Sequence, residues 1–400
     1  MIRALRGTAV RALRSLDDAV GRLSGPAEVL VDVRTPMNLA VLRPVWARLL
    51  ADPRVSVRFT AEAGTAIAGG AADPAVEARR IARASATWTR LDLAITADLW
   101  NRTPLRRCRR QINFFHGVAG KYDLDDASKV AAANLEQFDR IAFINADRLE
   151  RWVASGVIRR TQAALVGFPK GDELLNGRWH AADVRASLGL APGRPTVLYA
   201  PTFSPENSLH LAGEAIVQAL LDAGHNVIVK LHDRSMVPHE RYTNGIDWPA
   251  RLSAFAGRPG FALARLDDAG PCLAAADVLV TDHSTVGFEF ALLDRPIVVF
   301  DAPRLREAAR IAADKWALLR SMAEVVETAA GVSDAVTRAL QAPAAMRAAR
   351  RQAHTLFAHA GHATERALAV VYDLLEMAPA ALDARSAAGA PAVAAVDRRG

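Results

Sequence analysis

Short apolar runs rich in β-branched residues recur along most of the chain, and stretches with helical spacing separate them. Runs of this length, bounded by turn residues, are typical of buried strands. Strands that alternate with helices predict an α/β protein with mainly parallel sheets. The predicted strands are 29–33, 55–60, 92–98, 112–115, 141–144 and 163–167 in the first half, and 196–201, 226–232, 261–265, 278–282 and 296–301 in the second.

A break around residues 167–177 divides these strands into two sets, and no internal repeat relates the sets. A chain of 400 residues is long enough for two domains. We therefore expect two facing Rossmann-like doubly wound domains with a cleft between them, at residues 25–180 and 181–377. The second domain is expected to end in a C-terminal helical segment from 304, and the Ala-, Pro- and Gly-rich tail 378–400 is expected to be disordered.

The composition argues against several classes of protein. No apolar run reaches the ~18 residues of a membrane-spanning helix, and the N-terminus lacks the apolar core of a signal peptide. The two cysteines, Cys108 and Cys272, lie far apart and suit a reducing compartment, so we expect a cytoplasmic protein. The formal net charge is only +7 and aromatic residues make up 6%, which disfavours nucleic-acid binding.

The first 24 residues predict a basic amphipathic helix. Apolar residues from Ile2 to Leu16 repeat at helical spacing, and arginines such as Arg6 and Arg14 fall on other faces. Such a helix can lie on an anionic membrane surface, which would make the protein peripheral on the inner face of the membrane. The alternative is an ordinary helix packed on its domain with its arginines in water, and both interpretations stay open.

In open parallel sheets, ligands bind beyond the carboxyl ends of the strands, and several polar residues stand there. His116 follows the strand at 112–115 and precedes Gly117 and Lys121. Glycine lets the backbone approach a ligand closely, and histidine can act as a general base near neutral pH. A loop histidine bonded only to backbone is the plainer interpretation.

Two further strand ends in the second half carry polar groups. Lys230 and His232 end one strand, and alternation places them on one face, where they could hold phosphate oxygens. Thr202 and Ser204 follow the strand at 196–201. The plainer interpretations are solvated strand-end charge and a structural turn.

The stretch from 278 to 296 is the most informative, because a buried strand leads into Asp282, Ser284 and Thr285 and then into a helix. The free N–H groups and dipole of a helix start favour an anion such as a phosphate. Glu289, early in that helix, could accept hydrogen bonds from ribose hydroxyls. A capped helix start without a ligand is the alternative. The sequence has no P-loop lysine motif, no G-x-G-x-x-G and no acidic pair suited to a metal.

Several of these blocks together resemble the CDP-glycerol:poly(glycerophosphate) glycerophosphotransferase family of teichoic-acid-type polymerases and primases. They are HGVAGK (116–121), GFPKGD (167–172), YAPTF (199–203), VKLH (229–232) and ADVLVTDHSTVGFEFALLDRP (276–296). The resemblance covers roughly residues 110–375. It implies a GT-B fold and the transfer of glycerol phosphate from CDP-glycerol to an acceptor hydroxyl with release of CMP, at the cytoplasmic membrane face and with no required cofactor or metal.

By this resemblance the two essential histidines fall on His116 and His232, and the strand-end pair falls on Asp282 and Ser284. Four positions depart from the usual family pattern: His283 stands for tyrosine, Thr285 stands for serine, and Asp233 and Ala119 stand for proline. These changes leave the donor polyol open.

The catalytic residues expected from these observations are His116, His232 and Asp282. The residues expected to bind substrate or phosphate are Gly117, Lys121, Thr202, Lys230, Ser284, Thr285 and Glu289. In this hypothesis His116 accepts the proton of the acceptor hydroxyl, and Asp282 orients a histidine or binds the donor. The expected partners are CDP-glycerol or a similar donor and an envelope polymer or lipid-linked acceptor. The alternatives are a GT-B glycosyltransferase or epimerase acting on a UDP- or GDP-sugar, and a non-catalytic envelope assembly protein.

Overall fold

The computed structural model describes residues 25–61, 73–100, 103–118, 120–123, 126, 130 and 134–380. These residues form two compact units. The first unit comprises the described residues up to His116, those within 127–172 and those from Phe357 onward. The second comprises the described residues within 117–126 and residues 173–356. The predicted N-terminal helix and most of the predicted disordered tail lie outside the described residues.

The first unit is built on a six-stranded parallel sheet with the order β2-β1-β3-β4-β5-β6. Its central strands carry Val, Ile and Leu because helices cover the sheet. Alternate residues, such as Val29, Val31, Leu93 and Ile112, face one core. The strands are β1 Ala27–Val33, β2 Val55–Ala61, β3 Leu91–Thr96, β4 Cys108–Phe114, β5 Arg140–Phe143 and β6 Ala163–Leu165.

The helices of the first unit include one from the far end of the chain. Helix α16 (Ala363–Leu374) packs Leu368, Val371 and Tyr372 into the same core. Our prediction placed this segment in the second domain because of its position in the sequence. The Tyr372 hydroxyl donates to Asp52 over 2.7 Å, and hydrogen bonds from the Arg54 guanidinium, followed by this one, lower the pKa of Asp52 to about 2. The helices are α1 Pro36–Leu50, α2 Pro74–Glu77, α3 Arg83–Trp88, α4 Ala146–Ala154, α5 Pro169–Leu175, which runs on into the second unit, and α16 Ala363–Leu374.

Gly167 lies where the C-terminal segment packs against the first unit. Its φ is +95°, a conformation that disfavours side chains, and a Cβ there would lie 2.0 Å from the Ala358 carbonyl oxygen. The Ala358 N–H also donates to the Ile144 carbonyl over 2.8 Å. The glycine of the GFPKGD block therefore makes room for the incoming chain.

The second unit contains another six-stranded parallel sheet, with the order β12-β11-β10-β7-β8-β9. Its four central strands are fully buried. The strands are β7 Thr196–Tyr199, β8 Asn226–Val229, β9 Phe261–Leu263, β10 Val278–Thr281, β11 Ile297–Phe300 and β12 Glu324–Val326. We expected only helices after residue 304, and this was wrong at β12, whose three residues are too short a run to show a strand pattern.

Helices connect the strands of the second unit. They are α6 Ala181–Ser187, α7 Ser208–Asp222, α8 Glu240–Thr243, α9 Trp248–Leu252, α10 Gly270–Ala275, α11 Thr285–Ala291, α12 Pro303–Ala308, α13 Ala313–Ser321, α14 Ala329–Gln341 and α15 Arg347–Ala353. The predicted fold class, α/β with two Rossmann-like doubly wound domains, is confirmed. Among the described helices, none is long and apolar enough to cross a membrane.

Candidate active site

His116 belongs to the first unit. It lies two residues beyond β4 and is half-buried, and its Nδ1 atom is buried without a hydrogen-bond partner among the described groups. Burial lowers the pKa of His116, and the nearby Asp98 carboxylate and the Ala97 carbonyl oppose this shift. The imidazole is therefore neutral at pH 7, which is the form a general base needs.

A row of polar side chains crosses the sheet next to this histidine. Thr60, Asp32, Thr96 and Asn113 are register partners on β2, β1, β3 and β4, so they lie on one face of the sheet. All four are buried, and neither polar atom of the Asn113 side chain has a partner among the described residues. Sequence reasoning missed the row, although each member is the last or next-to-last residue of its strand.

Lys121 belongs to the second unit. The Tyr122 N–H donates to the Ala309 carbonyl over 2.9 Å, and the Ala312 N–H donates to the Gly120 carbonyl over 2.8 Å, which fixes the segment that follows His116 and Gly117. Lys121 Nζ donates to Thr202 Oγ1. Burial lowers the pKa of Lys121 to about 8, opposed by the Asp282 carboxylate.

Asp282 lies at the end of β10 and is 2% exposed. One carboxylate oxygen accepts from the backbone N–H groups of Thr202 (2.9 Å) and His283 (2.7 Å). The other accepts from the Ser208 N–H (3.0 Å) and the Ser208 hydroxyl (2.8 Å). These four bonds tie the end of β10 to the loop after β7 and to the start of α7. The carboxylate makes none of them with a histidine ring.

His232 follows β8 and caps a short 3₁₀ turn, Asp233–Ser235. Its Nδ1 accepts from the Arg234 N–H over 3.1 Å, so in the neutral ring the proton sits on Nε2. Burial, then the charges of Lys230, Arg234 and Lys121, lower the pKa of His232 to about 3. The histidine is thus an uncharged Nε2–H donor. Lys230 is buried beside it, and its Nζ donates to the Leu231 carbonyl over 2.7 Å.

The start of α11 carries the hydroxyl pair that the sequence singled out. Ser284 occupies the N-cap position with extended backbone, but its side chain makes no capping hydrogen bond. Ser284 and Thr285 are both half-buried, so their hydroxyls remain available for a ligand. Glu289 lies buried one turn further along the helix. His283 is buried and stacks on Trp316 with ring centroids 5.4 Å apart.

The second unit therefore gathers most of the predicted binding residues at the carboxyl edge of its sheet. Thr202 follows β7, Lys230 and His232 follow β8, and Ser284 follows β10, which are adjacent strands in the order β10-β7-β8. Sequence reasoning missed the aromatic side chains around His232. The Phe203 ring lies 4.3 Å from the His232 ring, and Tyr122 stacks on Phe203 at 5.7 Å.

Within the part of the chain that the structure describes, no group of three or more His, Cys, Asp or Glu side chains could hold a metal ion. Cys108 and Cys272 are both buried, and burial raises the pKa of the Cys272 thiol to about 12.

Comparisons with known proteins find a matching family model and a related curated protein. The family model of CDP-Glycerol:Poly(glycerophosphate) glycerophosphotransferase matches residues 111–371. A teichoic acid poly(glycerol phosphate) polymerase of Staphylococcus epidermidis is 24% identical over 143 residues, which are 34% of this chain and 19% of that protein. The chain thus matches about a fifth of the length of this curated relative.

Solved structures show the same fold. The wall teichoic acid polymerase TagF is 14% identical with a TM-score of 0.66, and the match covers 94% of this chain and 96% of the TagF chain. A TagF variant soaked with CDPG is 15% identical with a TM-score of 0.68 over the same shares. A UDP-N-acetylglucosamine 2-epimerase is more distant, at 11% identity, a TM-score of 0.53 and coverage of 88% and 96%. Because the family model spans more than half of its residues and includes every predicted site residue, the chain belongs to the CDP-glycerol:poly(glycerophosphate) glycerophosphotransferase family.

Proposed function

We propose that the protein transfers a glycerol-phosphate or related polyol-phosphate unit from a CDP-activated donor to an acceptor hydroxyl and releases CMP. One observation carries the proposal: hydrogen-bond donors and basic side chains suited to phosphate gather at the carboxyl edge of the second sheet within a chain of this family. Lys121, the Nε2–H of His232 and the open start of α11 are all donors, and they face a region where ligands of parallel sheets bind.

On the donor side, Ser284 and Thr285 bind pyrophosphate oxygens through their hydroxyls and the helix N–H groups. Lys121 supplies a positive charge, and Lys230 adds a second one beside His232. The neutral His232 donates its Nε2–H to an oxygen on which charge develops in the transition state. Glu289 accepts from the ribose hydroxyls, and Gly117 lets the backbone approach the substrate.

On the acceptor side, His116 removes the proton of the attacking hydroxyl. The acceptor oxygen forms a bond to the β-phosphorus while the bond from that phosphorus to the CMP oxygen breaks. The proton passes to His116, and the electron pair of the broken bond leaves with CMP. Loss of one general base slows such a step by ~10²–10⁴. Asp282 acts here as a positioning residue, because its oxygens already hold Thr202 and Ser208 in place.

Incubation of the full chain with CDP-glycerol and a glycerol-phosphate oligomer tests this function, with CMP release measured by chromatography. We expect CMP release that depends on both substrates, and a loss of at least ~100-fold in the folded His116→Ala and His232→Ala proteins. Near wild-type turnover in both variants would exclude the mechanism. UDP or GDP release from sugar nucleotides would favour the epimerase or glycosyltransferase alternative, and donor binding without turnover would favour an assembly protein.

We also propose that the protein works in the cytoplasm at the membrane surface, where a polymer or lipid-linked acceptor is presented. The support is the basic amphipathic pattern of residues 1–16, which lie outside the described residues. Flotation with vesicles that contain anionic lipid checks this. Deletion of residues 1–16 should abolish the association, and unchanged association would exclude that helix as the anchor.

A further inference from the structure

Arg234 has an unusual environment for an exposed arginine. Its guanidinium carbon lies 4.8 Å from the centroid of the Phe203 ring and 4.9 Å from that of Tyr242. The two rings meet edge to face at 6.0 Å and form the two walls that hold the guanidinium. Among the described residues, no carboxylate pairs with Arg234, so the rings alone set its orientation.

Two other arginines of the second unit are held differently. Arg258 pairs with Asp222 over 2.6 Å, and Arg310 pairs with Asp123 over 2.6 Å. In those residues a carboxylate already occupies N–H donors of the guanidinium. Arg234 keeps these donors available, because stacking on a ring uses the face of the guanidinium and not its edge.

The position of Arg234 connects it to the candidate site. It is the second residue after His232, and its backbone N–H holds the ring of that histidine in one tautomer. Its charge contributes to the lowered pKa of His232 and opposes the raised pKa of Tyr122, so the guanidinium lies near both side chains. Lys121 and Lys230 add positive charge near His232, whereas Asp267 lies near Lys230 and Asp233 lies near Asp267.

We propose that Arg234 is a phosphate-binding residue of this site. A planar guanidinium with an open edge matches two oxygens of one phosphate, and the aromatic walls hold it ready so that little side-chain freedom is lost on binding. The bound phosphate belongs either to the pyrophosphate of the donor or to a phosphodiester of the acceptor. This inference rests on the proposed function, since it takes the carboxyl edge of the second sheet as the place where phosphorylated substrates bind.

Calorimetric titration of the full chain tests the proposal without requiring turnover. The probes are inorganic pyrophosphate, for the donor, and glycerol 3-phosphate, for the acceptor. Arg234→Lys keeps the charge but loses the bidentate edge, so we expect affinity for one probe to fall about tenfold or more, with Arg234→Ala weaker still. Tyr242→Leu, which removes one wall, should weaken the same probe by a smaller factor. Arg258→Ala is the matched control and should bind both probes like the wild type.

Kinetics then identify the source of the phosphate. A raised KM for CDP-glycerol in Arg234→Lys assigns the donor, and a raised KM for the oligomer assigns the acceptor. Unchanged affinity for both probes, with both KM values unchanged in folded Arg234→Lys, would overturn the proposal. If the wild type releases no CMP, the proposed function fails, but the titrations still decide whether Arg234 binds phosphate.

Discussion

Replacing Asp282 tests the role that the structure gives to this buried carboxylate. The sequence indicated a catalytic aspartate, whereas the four hydrogen bonds of Asp282 all go to neighbouring protein groups. In Asp282→Ala the N–H groups of Thr202, His283 and Ser208 lose their acceptor. Water cannot readily replace it, because Thr202 is 2% exposed and Ser208 is 0% exposed.

The size of the effect follows from these bonds. Each buried N–H left without a partner costs about 1–3 kcal/mol. The costs of the three unsatisfied N–H groups do not add fully, because the loop after β7 relaxes as a unit. We therefore expect Asp282→Ala to lower the free energy of unfolding by about 3–5 kcal/mol, the range found when one partner of a buried charged group is removed.

Asp282→Asn separates charge from shape. The amide oxygen can still accept from Thr202 and His283, while its NH₂ group meets the Ser208 N–H and loses that bond. The Ser208 hydroxyl can still bond to the Tyr199 hydroxyl, 3.0 Å away. The expected loss is about 1–3 kcal/mol, the cost of one unsatisfied N–H.

Urea unfolding followed by circular dichroism measures these values, and hydrogen exchange of residues 200–210 reports the local effect. The matched control is Asp222→Asn, whose pairs with Arg258 and Gln218 are exposed to solvent, so the free energy of unfolding should change far less than in Asp282→Ala. The reasoning is refuted if Asp282→Ala unfolds at the wild-type urea concentration and exchanges like the wild type in that loop.

Three further predictions concern pH and packing. Because burial lowers the pKa of His116, kcat/KM for CMP release should be constant near pH 7 and should fall only below pH 6.5. A pH–rate profile of kcat/KM measures this dependence. An acid limb above pH 6.5 would contradict the prediction. Because the pKa of Lys121 is about 8, the residue is charged below that pH and neutral above it, so pyrophosphate affinity should weaken above pH 8. Lys121→Arg should keep its affinity to higher pH in the same titration, and an unmoved alkaline limb would exclude Lys121 as its origin. Gly167→Ala should lower the free energy of unfolding by several kcal/mol, because Gly167 has a positive φ and the Ala358 carbonyl oxygen lies close to it. Gly177→Ala is the control, since Gly177 also has a positive φ but lies in open space, and it should lower the free energy of unfolding by only about 1–2 kcal/mol. Equal losses in the two variants would contradict the packing argument.

The sequence predicts the strands well because each is a short apolar run with clear boundaries. The six strands of the first unit and five of the second were found within a few residues of their observed bounds. The missed strand, β12, has only three residues, all partly exposed, so no apolar run marks it. Helix α16 has an ordinary amphipathic pattern, and nothing in such a pattern says which of two cores its apolar face will join.

The sequence indicated which residues lie at the strand ends of the candidate site, but it did not indicate what each side chain contacts there. Strand-end rules placed Thr202, His232 and Ser284 beyond the ends of their strands, and the observed sheet order shows that these strands are neighbours. The use of Asp282 as a structural acceptor depends on loops 80 and 74 residues away in the chain, which no local pattern shows. The ring contacts of Arg234 could not be predicted for the same reason, because Phe203 and Tyr242 lie far apart in sequence.

The central claim is that groups beyond the strands of this chain hold a CDP-activated polyol while an acceptor hydroxyl attacks its β-phosphorus. Phosphorus NMR of the full chain with CDP-glycerol and a glycerol-phosphate oligomer measures that reaction directly. We expect one CMP for each new phosphodiester, with both signals absent in His116→Ala. A pyrophosphate signal that persists through prolonged incubation with folded protein and saturating acceptor would contradict it.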